Sequence, residues 1–207
     1  PKDLKNVPVF ILLNFHPDVP DRYCPTEEII DSGCAVLQIY YNDISLDEDD
    51  NFSSGLATHY DRKKYNWSKL RMWAYAASSV LTYALSTEYA DKTRTAVVGH
   101  SRLGKTALIA SAFDTRFALC CANDSGCSGD AITRQKKGER VYDIYSRFPY
   151  WFCEEYNKYS NNENAMPFDQ HFLTALIAPR LVCIGSGSLD YGAGPWGEYL
   201  GGREASP

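Results

Sequence analysis

The stretch Thr95–Ala112, TAVVGHSRLGKTALIASA, decides how the rest of the chain is read. Ala96, Val97 and Val98 make an apolar, β-branched run that stops at Gly99. Four residues then break the pattern, and after Gly104 the helix formers Ala107, Leu108, Ile109 and Ala110 take over. That order is strand, tight turn, helix. Two chemistries use such a unit. In a nucleophile elbow, a serine sits on the turn with its hydroxyl clear of the sheet and glycines relieve the crowding around it. Ser101, preceded by Gly99, occupies that place, although Leu103 stands where the second glycine usually falls and Gly104 comes one residue later. In a phosphate-cradling loop, Gly-x-x-x-x-Gly-Lys-Ser/Thr, backbone N–H groups and a lysine wrap a nucleotide's phosphates. Gly99, Gly104, Lys105 and Thr106 match that spacing at every fixed position. Glycine-flanked turns also join strand and helix in domains with no reactive serine, so the local pattern leaves three readings open.

The 207 residues suffice for one α/β domain with a substantial core, read here as a single unit over 1–207. Apolar residues make up 44% and charged residues 23%, an ordinary globular balance. A formal charge of −5 with scattered basic residues speaks against a nucleic-acid partner, and no run approaches the length of a membrane span. The 15 tyrosines, 9 phenylalanines and 4 tryptophans suit carbohydrate rings as well as a core. An odd count of 7 cysteines cannot pair completely within one chain, and Cys34, Cys120, Cys121 and Cys183, in or beside apolar runs, read as buried small hydrophobes. No paired Cys-x-x-Cys and no His-x-x-x-His occurs, so a zinc site has no support. The chain opens at Pro1 with no initiator methionine or signal peptide, and closes on GGREASP, where no final helix or strand is expected. The expectation is therefore a segment truncated at both ends and lacking a C-terminal strand and helix.

Along the chain, VPVFILLN (7–14) and CAVLQIYY (34–41) read as strands buried on both faces of a parallel sheet, with a short helix in PTEEIIDSG between them. The acidic segment Asn42–Gly55, containing LDEDDN, reads as a solvated loop, since its spacing matches no calcium loop. From Trp67, the residues Leu70, Trp73, Ala74, Ala77, Leu81 and Leu85 recur at three and four positions on one face of a long helix. A strand is expected at FALCCA (117–122), and the aromatic segment YDIYSRFPYWFCEEYNKY (142–159) reads as an insertion or lid rather than core. A short helix over 172–177 and a strand over 181–184 follow. Alternating strands and helices imply an α/β fold with a mostly parallel sheet and its ligands at the carboxyl ends of the strands, where Ser101, Asp124 and Asp190 all fall.

A serine hydrolase of this kind orders its groups as serine, acid, histidine. Asp124 and Asp190 obey that order, but the four histidines fit poorly. His16 and His59 precede the serine, His100 adjoins it and is expected to point away from its reaction face, and His171 comes before the last strand. A nucleotide-binding protein would use Asp124 for magnesium, but its phosphate loop would follow an earlier strand.

Four blocks, VVGHSRLGKTAL, NDSGCSGDAI, MPFDQHFLTALIAPRL and DYGAGPWGE, resemble in content and order the glucuronoyl esterases of carbohydrate esterase family fifteen in their bacterial form. The family signature, Gly-x-Ser-Arg-x-Gly-Lys, accounts for both the displaced glycine and the phosphate-loop match. The resemblance implies an α/β-hydrolase fold and a cofactor-free serine esterase of plant cell-wall polysaccharide that cleaves 4-O-methylglucuronoyl esters of xylan through an acyl-enzyme. It implies Ser101 as nucleophile, Arg102 as oxyanion stabiliser, Lys105 and Trp196 as sugar-binding residues, and a catalytic histidine beyond Pro207. The triad acid sits in one of two places in the family, here Asp124 or Asp190. The shorter reach of an aspartate where many relatives carry glutamate favours Asp190. An extracellular or periplasmic location and a glucuronoxylan partner follow from the same resemblance. An acetylxylan esterase, a non-catalytic sugar-binding relative and a nucleotide-binding protein remain as alternatives.

Overall fold

The computed structural model describes residues 5–21, 23–60, 67–134 and 137–206. Five parallel strands, β1 (Val7–Asn14), β2 (Ala35–Tyr40), β3 (Ala90–His100), β4 (Leu119–Asn123) and β5 (Leu181–Gly185), form one sheet in the order β2-β1-β3-β4-β5. The helices are α1 (Thr26–Asp31), α2 (Lys69–Ser86), α3 (Arg102–Phe113), α4 (Val141–Arg147), α5 (His171–Ala175) and α6 (Pro195–Ala205). Parallel neighbours cannot be joined by tight hairpins, so each crossover carries helix, and the helices cover the sheet. The chain steps outward from β1 to β2 and then crosses back to β3. Strand order therefore reverses beside β1 and β3, where the carboxyl-end loops part.

The apolar runs do what their pattern predicts. Ile11, Leu13, Val97, Cys120 and Ala122 from the strands meet Leu70, Trp73, Ala77 and Leu81 of α2 and Leu103, Ala107 and Leu108 of α3 in one core. Leu85, the last residue of the predicted α2 stripe, is only partly buried against it.

Four expectations change. The C-terminal GGREA is helical, as the end of α6: Gly201 lies so close to Asp130 that a Cβ would collide with the Asp130 carbonyl, so tertiary packing uses two glycines that local propensity would place in a loop. Pro1 and Pro207 lie outside the described residues. The aromatic segment is core rather than lid, since Val141, Ile144, Trp151 and Phe152 are buried in the main cluster. Cys120 is buried as expected, but Cys34 and Cys121 are half-buried and Cys183 is exposed, because β5 is an edge strand among the described residues.

The fourth concerns the acidic loop, which is organised by charge rather than solvated. Lys69, at the start of α2, is completely buried, and its Nζ donates to the carbonyls of Leu46 and Glu48 and to Asp50 Oδ1 at 2.7 Å. Burial alone would raise the Asp50 carboxyl, but hydrogen bonds from Lys69 and Ser54 hold it below its ordinary value. An ammonium has three donors, and here each meets an oxygen, which is what makes a buried lysine tolerable.

A second buried cluster ties together the loops after β4 and β5. Ser125 Oγ donates to Asp130 Oδ1 and accepts from the Asp130 N–H at 2.9 Å, while Glu198 of α6 accepts from the Gly126 N–H at 2.8 Å and from Ser186. Asp130 and Glu198 are both completely buried, and Asp130 Oδ2 has no partner. Burial, opposed by the Ser125 hydrogen bond and reinforced by the Glu198 charge, pushes the Asp130 carboxyl up to about 7, although nearby Lys105 pulls it down.

Lys69→Met leaves Asp50 buried without its cation and two carbonyls without a donor. The expected loss is about 3–5 kcal/mol, read from urea unfolding; a loss below about 1 kcal/mol would show that the loop does not need the clamp. Asp130 binds its proton more tightly folded than unfolded, so its contribution to stability is present below pH 4 and is lost as pH rises toward 7. Asp130→Asn cannot titrate. Its urea midpoint is expected to gain on that of the parent protein between pH 4 and 7, and a difference that stays constant across the range would contradict the assignment.

Candidate active site

The three residues His100, Ser101 and Arg102 make the sharpest turn of the fold. β3 ends at His100, α3 begins at Arg102, and Ser101 alone joins them with φ 55° and ψ −122°. A non-glycine residue at positive φ stores backbone strain that the surroundings must hold. Here Ser101 N–H donates to the Asn123 carbonyl at 2.8 Å, tying the turn to the end of β4, and Lys105 N–H closes the first helical bond to the Ser101 carbonyl at 3.1 Å. A Cβ at Gly99 would collide with the Leu103 carbonyl, and one at Gly104 would come within 3.0 Å of the Asn123 carbonyl and 3.1 Å of Ser125 Cβ. Both glycines are therefore where strand and helix approach most closely. Leu103, in the usual glycine position, is buried in the core instead.

This geometry also answers the phosphate-loop match. A phosphate cradle needs several residues of open loop between strand and helix, whereas one residue separates them here. Lys105 is buried, and its Nζ donates to the Ser125 carbonyl at 2.6 Å. The nucleotide reading is thus set aside.

The first amides of α3 have no acceptor four residues back and lie beside Ser101, at the positive end of the helix. Arg102 is both the residue whose N–H follows Ser101 and a cation at that end. Its guanidinium pairs with Asp47 and lies over the rings of Trp151 at 4.7 Å, Phe148 at 5.5 Å and Phe15 at 5.7 Å. Asp47 in turn accepts from Trp151 Nε1 at 2.7 Å and from the Tyr41 hydroxyl at 3.0 Å. Burial and the Asp47 charge push the Tyr41 phenol up to about 12, so it stays a donor. Nothing within LDEDDN marks Asp47; besides nearby Tyr41, its side-chain partners come from the first residue of α3 and from a segment over a hundred residues later.

The two candidate acids are neighbours. Strand register sets His100 against Asn123 and Asn123 against Gly185, so Ser101 and Asp124 leave the sheet at one level. Asp124, with φ 44°, accepts from the Gly187 N–H at 2.6 Å and from Asn123 Nδ2 at 3.0 Å. Asp190 is exposed and accepts from the Ala193 N–H at 3.0 Å. A Cβ built on Gly187 would sit 3.2 Å from Asp124 Oδ1 and 3.6 Å from Asp190 Cβ, which places both aspartates around one point.

No histidine is joined to Ser101 by a hydrogen bond among the described residues. His100 lies toward Asn123 Nδ2 at 2.7 Å, with Asp124 Oδ2 at 3.8 Å. His16 stacks on Tyr23 at 5.8 Å, His59 is exposed, and His171 opens α5 beside Phe172. Trp196, 68% exposed, stacks on Tyr199 and lines a cavity of about 670 Å³ with Arg134, Lys137 and Tyr191.

Comparison with known proteins agrees with this geometry. The family model described as "Glucuronyl esterase, fungi" matches residues 4–201. A carbohydrate esterase from an unknown prokaryotic organism is 43% identical over 86% of this chain, and a 4-O-methyl-glucuronoyl methylesterase from Wolfiporia cocos is 34% identical over 73%. The chain spans 43% and 40% of the length of those two proteins. A glucuronoyl esterase from Solibacter usitatus superposes with a TM-score of 0.90 at 33% identity, over 98% of this chain and 61% of its own. The superposition assigns the α/β-hydrolase fold, and with the family model matched over residues 4–201 the chain belongs to the glucuronoyl esterase family.

Proposed function

We propose that the protein containing this chain hydrolyses 4-O-methylglucuronoyl esters of xylan through an acyl-enzyme on Ser101. The observation that carries the reading is the single-residue turn at Ser101, which puts that serine between the end of β3 and the positive end of α3, with Arg102 as the first helical residue. In the forward step, Ser101 Oγ attacks the ester carbonyl and its proton passes to a catalytic histidine. Negative charge collects on the former carbonyl oxygen, where the leading amides of α3 and the Arg102 side chain oppose it. Collapse expels the alcohol, which takes the proton from the imidazolium, and water then releases the glucuronate by the reverse sequence.

Asp190 is our assignment for the acid that orients the histidine. Both carboxylate oxygens of Asp124 already accept hydrogen bonds, from the Gly187 N–H in the loop after β5 and from adjacent Asn123, whereas Asp190 stands exposed. Lys105 and Trp196 are the residues we assign to the sugar. Lys105 contributes its charge from beneath the site, and Trp196 offers a ring face at the cavity rim. No helix among the described residues is long and apolar enough to cross a membrane, and a polymeric cell-wall substrate places the enzyme outside the cytoplasm.

In the protein at its full natural length, Ser101→Ala is expected to abolish release of glucuronate from an alkyl glucuronate ester, a loss of at least about 10³-fold in kcat. Asp190→Asn should lose far more activity than Asp124→Asn; the reverse order would move the acid to Asp124. Acetate release from acetylated xylan without glucuronate cleavage would move the reading to an acetyl esterase, and xylan binding without turnover would leave a sugar-binding relative.

A further inference from the structure

Arg102 cannot oppose an oxyanion unless something fixes it. A free arginine side chain samples many rotamers, and a donor that must reorganise during reaction loses most of its catalytic value. Every neighbour of this guanidinium acts against that freedom. Trp151, Phe148 and Phe15 wall it with their rings, and Asp47 takes its terminal nitrogen.

Asp47 is itself held from all sides. Oδ1 accepts from Trp151 Nε1, and Oδ2 from the Tyr41 hydroxyl as well as from Arg102. Its backbone N–H donates to Asn42 Oδ1 at 2.8 Å, and its carbonyl accepts from the Tyr150 hydroxyl at 3.1 Å. The residues before and after it, Leu46 and Glu48, are pinned through their carbonyls by buried Lys69. Its side chain is only 6% exposed, so water does not compete for it. With both oxygens committed, Asp47 is in no position to orient a catalytic histidine, and its role must be exercised through the guanidinium.

We propose that Asp47 is a positioning residue that holds the Arg102 guanidinium where it meets the negative charge developing on the ester oxygen, so that the acidic loop after β2 is part of the active site. This rests on the reading of Arg102 as oxyanion stabiliser. The charge of the pair sums to zero, and what the loop supplies is orientation: a fixed dipole with its positive end toward the reacting carbonyl and its negative end sealed among Trp151 and Tyr41.

The test compares Asp47→Asn, Arg102→Ala and the double variant in the full-length protein, with steady-state kinetics on an alkyl glucuronate ester and a thermal midpoint for each. Asp47→Asn keeps the shape and weakens the hold. It is expected to lower kcat about 10- to 100-fold with KM changed less than about threefold, and to cost less than about twofold more once Arg102 is alanine. If Asp47→Asn does not fold, Trp151→Phe removes one anchor of Asp47 while keeping a ring under the arginine. The same pattern is then expected at about 3- to 10-fold.

An unchanged or raised kcat in a folded Asp47→Asn overturns the proposal, and so does a loss confined to KM or one that adds fully to that of Arg102→Ala. If Arg102→Ala loses activity while Asp47→Asn keeps it, only the positioning role fails. If Arg102→Ala keeps full kcat, the oxyanion reading fails and the proposal with it.

Discussion

The approach of β3 to α3 is so close that one residue spans the gap, and the rest of the molecule answers to that constraint. Gly99 has no room for a Cβ against Leu103, and Gly104 has little against Asn123 and Ser125. Ser101 is left at positive φ with its amide bound to β4. Neither strand nor helix would choose that conformation alone; it persists because the buried faces of β3 and α3 are fixed by the core on both sides. The strain is placed at the one residue that stands between the end of the sheet and the amides that α3 leaves unpaired.

Around this turn the polypeptide uses buried ions where a simpler core would use leucines. Lys69 gathers the acidic loop, Arg102 and Asp47 close against aromatic rings, and Glu198 binds the loops after β4 and β5 to α6. Such groups are expensive to bury and are weak sources of stability. Their effect is directional: each ion accepts or donates along fixed lines, so each loop is held in one place relative to Ser101. The apolar core positions strands and helices, and the ions position the loops that the sheet cannot reach.

These ions also mark the boundary of what was legible. The strands, the amphipathic α2 and the elbow follow from periodicity and from Gly99 and Gly104, because those features act over a few residues. LDEDDN gives no such signal. A run of carboxylates looks the same whether solvated or folded inward, and the partners that draw Asp47 and Asp50 in lie at Arg102, Trp151 and Lys69. The aromatic segment misleads for a similar reason: Trp151 and Phe152 sit in short turns without a helical or strand period, yet they are core. The helical GGREA is likewise invisible, since Gly201 is chosen for its contact with Asp130 rather than for helix propensity.

The sequence by itself determined the five strands, most of the helices, a mostly parallel sheet, the tight turn at Ser101 and, through its motifs, the family. Those are set by local sterics and by the spacing of apolar residues, both written along the chain. Only the tertiary structure decided which carboxylates face inward, that Asp124 and Asp190 share one point around Gly187, and that Lys105 lies beneath the site against Ser125. Those outcomes depend on the distance between residues far apart in the chain, and the electrostatic energy of a charge is fixed by that distance and by its burial rather than by its neighbours in sequence.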